Sequence, residues 1–155
     1  YNQKSTGRPS NPTHVTYSGY TDEKKDALYS FGFGLSYTNF EYGDLQLSSE
    51  EINADENIQA SITLKNDGDV EGKEIVQLYL RDLVASTTRP VKELKGFEAV
   101  SLAPGESKTV TFEINEEMLQ FYNANRKWEA EAGEFEVFIG GNSRDLQKAT
   151  FSLKK

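Results

Sequence analysis

The chain has 155 residues, enough for one domain with a core of its own. Its 17 Lys and Arg against 25 Asp and Glu give a net charge of −8, which argues against nucleic acid and against anionic lipid as partners. Cys is absent, which excludes disulfides, thiolate catalysis and sulfur-ligated zinc, and no apolar run approaches the roughly 20 residues needed to cross a bilayer. The first residue is Tyr1 rather than Met, so the chain reads as a mature product or an excised piece.

The first 30 residues carry turn markers (Gly7, Pro9, Pro12), one branched aliphatic of the Val/Ile type (Val15) and no period of 2 or 3.6. Polarity without periodicity reads as a loop or linker. From Tyr37 onward the pattern changes. Phe40 and Tyr42, then Leu45 and Leu47, alternate with polar residues, and Gly43-Asp44 between them suggests a bend. Ile58, Ala60, Ile62 and Leu64 alternate in a clean strand that ends at the turn signal Asn66-Asp67-Gly68-Asp69. Residues 75–80 (IVQLYL) are more evenly apolar, as for a central strand covered on both faces. Further strand patterns follow at 94–102, at 109–114 beyond the Pro104-Gly105 turn, at 126–129, at 135–139 and at 149–153. One segment differs: Asn115 can cap a single helical turn with Glu116 and Glu117 at its positive end, and Met118, Leu119 and Tyr122 would share its face. Seven or eight short strands in about 115 residues predict an all-β fold, an antiparallel immunoglobulin or fibronectin type III-like β-sandwich, with a small barrel or jelly roll as alternatives.

Chemistry is harder to find. His14, the one histidine, sits in the Pro-containing tail and reads as an exposed loop residue rather than a general base. The acid pairs Glu116-Glu117, Glu129/Glu131 and Glu134/Glu136 could in principle serve glycoside hydrolysis, but the last two pairs fall on the solvated side of a strand. Asp67, Asp69 and Glu71 read as an acidic hairpin turn, because the spacing of a calcium loop is absent. Gly32/Gly34 and Gly140-Gly141 lack the companions of a phosphate cradle. No catalytic, cofactor-binding or metal-ligating residue is therefore assigned. Aromatics are more telling: Phe40, Tyr79, Phe112, Phe135 and Phe151 fit the core, whereas Trp128, Phe121 and Tyr122 could form a platform that stacks on sugars. Tyr29, Phe31, Phe33 and Tyr37 crowd nine residues that cannot build a core, which points to a partner surface. Loop 82–93 is long for a connection, and its Arg89 and Lys92 could face carboxylates on a neighbour.

The strings YSFGFGLSYT (29–38), KNDGDVEGKEIVQLYL (65–80), DLVASTTRPVKELKGF (82–97), LAPGESKTVTFEI (102–114) and GEFEVFIGGNSRDL (133–146) resemble the fibronectin type III-like domain that ends many family 3 glycoside hydrolases. YNQKSTGRP (1–9) is similar to the stretch by which the preceding domain of the β-glucosidase members hands over to it. One departure is Ser30, where the family usually has Pro. The resemblance implies residues 1–36 as a linker arm from an absent α/β-sandwich domain and 37–155 as the β-sandwich. It implies a non-catalytic structural module of a retaining exo-acting β-glucosidase that needs no cofactor and is periplasmic or secreted. The nucleophile and the acid/base of that family lie in upstream domains, so no catalytic residue carries over to any position here. The implied partners are those upstream domains, with polysaccharide as the alternative.

Overall fold

The computed structural model describes Gln3, Lys4, Thr13, Val15, residues 27–53 and residues 55–154. Eleven strands and one helical turn follow one another: β1 (Phe40–Tyr42), β2 (Gln46–Leu47), β3 (Glu51–Asn53), β4 (Ile58–Asn66), β5 (Gly72–Asp82), β6 (Glu93–Leu102), β7 (Ser107–Ile114), α1 (Glu116–Leu119), β8 (Phe121–Tyr122), β9 (Trp128–Glu129), β10 (Gly133–Gly140) and β11 (Gln147–Lys154). They form two stacked sheets and a short ribbon. In the first sheet β7 runs along one edge of β4, while β1 and β2 take successive parts of its other edge. The break at Gly43-Asp44, where the sequence suggests a bend, separates those two strands. The second sheet has the order β3-β11-β10-β5-β6.

Alternation puts Ile58, Ala60, Ile62 and Leu64 of β4 on the inner face, opposite Val76, Leu78 and Leu80 of β5 and their neighbours Val137 and Phe151. Phe135 and Phe151 stack across β10 and β11 with ring centroids 5.5 Å apart. Residues 76–80 are buried without interruption, as the even apolar pattern predicts. Tyr79 and Gln77 lie on the outer side of the second sheet, beneath other parts of the chain rather than beneath the first sheet.

Four expectations need correction. Glu51–Asn53 is a strand with no alternation to announce it, and it joins β11 in parallel, so the sandwich is not wholly antiparallel. Residues 67–71 do not turn a hairpin: β4 and β5 belong to different sheets, and the segment is a corner between them. Asn66 fastens that corner. Its amide donates to Val70 O (2.8 Å) and Leu102 O (3.0 Å), and its Oδ1 accepts from Thr38 Oγ1 and the Gly68 amide. Its backbone meets Gly105 and Glu106 of the opposite corner, where Gly105 takes a left-handed φ of 73° after Pro104. Finally, Asn115 does cap α1, its Oδ1 accepting from the Met118 amide, but the turn ends at Leu119. Phe121 is buried in place of Tyr122, which is exposed in β8. The strand pattern at 126–129 survives only at Trp128–Glu129, because Arg126 occupies a turn at φ 60°.

Candidate interaction surface

Residues 27–36 lie on the sandwich. The Ser143 amide donates to Phe31 O (2.8 Å), Ser30 Oγ donates to Asn142 Oδ1 (3.0 Å) and Arg144 Nη2 donates to Ala27 O (2.7 Å). Ser30 therefore makes a bond that Pro could not. Gly32 has φ +78° and passes so close to the Gln77 carboxamide that an added Cβ would overlap it. A side chain there would lift the arm away. The covered Gln77 donates to Gly141 O and accepts from the buried Tyr79 hydroxyl, so the outer face of β5 has satisfied polar groups under the arm.

The arm's rings remain outside. Tyr29 and Phe33 pack together with centroids 5.1 Å apart, Phe31 and Phe33 keep 49% and 47% of their surface exposed, and Tyr37 is fully exposed. Leu28 and Leu35 stand out beside them, and so do Ile75 and Phe97 on the outer face of the second sheet, Phe97 being the cross-strand neighbour of Gln77. The sequence reasoning missed these four. A signal existed for Ile75 and Phe97: both fall in the outward phase of their strands. The arm's backbone is thus hydrogen-bonded to the loop between β10 and β11 while its rings face outward.

A cleft of about 490 Å³ opens between the arm and the ends of β1 and β5. In it the Tyr42 hydroxyl donates to Glu74 Oε1 (2.9 Å). Burial pushes the Glu74 carboxyl above its ordinary range, and the Tyr42 bond offsets part of that. Tyr42 itself is pushed up, by burial first and then by the charge of Glu74.

Loop residues 83–92 differ from the expectation. Arg89 meets carboxylates of its own chain. Its Nε and Nη2 donate to Glu93 Oε1 (3.1 and 2.7 Å), its Nη1 lies 3.7 Å from Asp82 Oδ2, and its guanidinium sits 4.2 Å above the Phe121 ring. The last contact also removes Phe121 from the sugar-stacking set: its ring is 5% exposed, with one face covered by Arg89. Burial would raise the Glu93 carboxyl, but the hydrogen bonds from Lys95 and Arg89 prevail and hold it below its usual range. Burial raises Asp82. Lys92 also turns inward, donating to Ser143 O (2.7 Å) above the Phe138 ring, and burial lowers its pKa.

Three of the paired acids are held by neighbours within the chain. Glu136 is held by Arg81 and Lys148, Glu129 accepts from Asn123, and Glu131 accepts from the Ser86 amide and hydroxyl. Asp67 pairs with Lys65. Among the described residues no group of three metal-ligating side chains converges. His14 lies outside the described residues.

Residues 74–143 match the fibronectin type III-like domain. The chain is 46% identical over 155 residues to the periplasmic β-glucosidase of Salmonella typhimurium, covering 99% of this chain and 20% of that protein. It belongs to the fibronectin type III-like domains of the family 3 glycoside hydrolases. A putative β-xylosidase of Formosa agariphila is 50% identical over 137 residues, covering 88% of this chain and 18% of that protein. The crystal structure of a Listeria innocua β-glucosidase in complex with gluconolactone superposes with a TM-score of 0.92 at 41% identity, covering 100% of this chain and 22% of that one. The chain thus spans about a fifth of the length of the relatives it matches.

Proposed function

We propose that this domain is a non-catalytic structural module that packs against the catalytic part of a family 3 β-glucosidase and stabilises it. The observation that supports this most is the arm. It is bonded to the sandwich at Ser143 while Tyr29, Phe31 and Phe33, and Tyr37 where the sandwich begins, present their rings outward. The boundary between arm and sandwich falls at residues 36 and 37. The names of the relatives support β-glucosides as the substrates of the longer polypeptide, and one of them supports the periplasm as its place. Arg89 and Lys92 act within the module, holding loop 83–92 in shape rather than reaching across the interface.

Two polypeptides test the reading. Removing residues 37–155 from the longer enzyme should lower its melting temperature, and the purified chain alone should release no product from an aryl β-glucoside. Hydrolysis by the purified chain that is abolished by Glu134→Gln or Glu136→Gln would overturn it.

A further inference from the structure

The ribbon of β8 and β9 carries a second exposed surface. Tyr122 and Trp128 are direct cross-strand partners, so both rings stand on one face, 60% and 66% exposed, while Phe121 points the other way onto Arg89. Two strands of two residues have no stability of their own, and this ribbon is held by loop 83–92. Thr87 Oγ1 reaches Tyr122 O, the Ala124 amide donates to Ser86 Oγ (3.1 Å), and Ser86 bonds to Glu131. The other end of the same loop receives the incoming chain. The Val91 amide donates to Gln3 O (2.8 Å), and Lys4 bridges Pro90. Only Thr88 and Arg89 therefore separate the loop residues that hold the ribbon, Ser86 and Thr87, from those that meet Gln3 and Lys4.

We propose that the Tyr122–Trp128 face docks on the part of the polypeptide that precedes Gln3, as a second contact apart from the arm. This rests on the module reading above. Three observations select that occupant. The relatives are about five times the length of this chain. The backbone of the entering segment is bonded to the loop that fixes the ribbon. The exposed Val84, in the same loop, lines one depression with Pro90 and Val91, which meet the entering segment. Arg126 and Lys127, both exposed at the ribbon's turn, rim the rings with positive charge, so the facing surface should be apolar with carboxylates at its border. The longer stretch of the chain, from 27 to 37, reaches the sandwich at Asn142–Arg144 instead, so the two contacts hold the module at two separate places.

Amide hydrogen exchange of the isolated chain and of the longer polypeptide, compared peptide by peptide, tests this without any substitution. The proposal expects exchange across residues 121–129 to slow at least about tenfold in the longer polypeptide, equivalent to ~1.4 kcal/mol of added local protection. Slowing at 29–37 with none at 121–129 would overturn this contact and leave the module reading in place. Slowing at neither would overturn both. Slowing at 121–129 only after a soluble β-glucan is added would overturn it in favour of a sugar-stacking platform.

Discussion

Tyr37 offers the sharpest test of the arm. In this chain the ring is fully exposed, so Tyr37→Ala removes no buried area, and the change in stability should stay within about 0.5 kcal/mol. If the ring is buried against the rest of the enzyme, truncation forfeits the transfer of an entire aromatic side chain and leaves a cavity. Together these give about 3 kcal/mol. Phe31 and Phe33 are poorer probes, because about half of each ring is already covered within the chain and their truncation would weaken both polypeptides. The assay is exchange of the core amides of Leu78 and Leu80 in β5, which report opening of the whole domain in either polypeptide. In the longer one, Tyr37→Ala should speed that exchange by roughly 150-fold, the factor equivalent to 3 kcal/mol. Equal effects in the two polypeptides, small or large, would refute the assignment of Tyr37 to an interface.

Asn66→Ala should destabilise the isolated chain by about 3 kcal/mol or more, because it strips partners from Leu102 O, Val70 O and Thr38 inside both corners at once; a shift in the urea midpoint worth less than about 1 kcal/mol would show that the corners hold without it. Glu74→Gln should change the pH dependence of melting. Because burial raises the folded carboxyl above its unfolded value, folding takes up a proton between the two, and stability falls as pH rises through that window. The parent therefore carries a penalty at pH 7 that is absent below the unfolded value near pH 4, and the Gln variant should melt higher at pH 7 with the gap closing on acidification. A gap that does not vary with pH would exclude Glu74 as its source.

The sandwich is legible in the chain because its inner faces are written at period 2: β4 alternates without error, and the burial of residues 76–80 of β5 on both sides shows in the even run IVQLYL, of which only Ile75 is exposed. β3 is not legible. Three residues with one apolar side chain, Ile52, carry no period, and its partner β11 is a hundred residues away. The corner at 66–71 reads as a turn because Asn, Asp and Gly favour turns locally, whereas a hairpin and a corner differ only in which distant strands receive the chain. The arm was half visible. Four rings in nine residues betray a surface, but nothing in the order of residues says that Gly32 lies on Gln77 or that Ser143 bonds to Phe31. Arg89 and Phe121 mislead for a related reason: each looks exposed alone, and they bury one another across 32 positions.

The central claim, that this domain works as part of a larger glycosidase, is tested most directly by the size of the native polypeptide that contains it. An antibody against the purified domain, used on fractionated source cells, should detect one band several-fold heavier than 155 residues, travelling with β-glucosidase activity. A band at the mass of the 155 residues alone, free of that activity, would contradict the account.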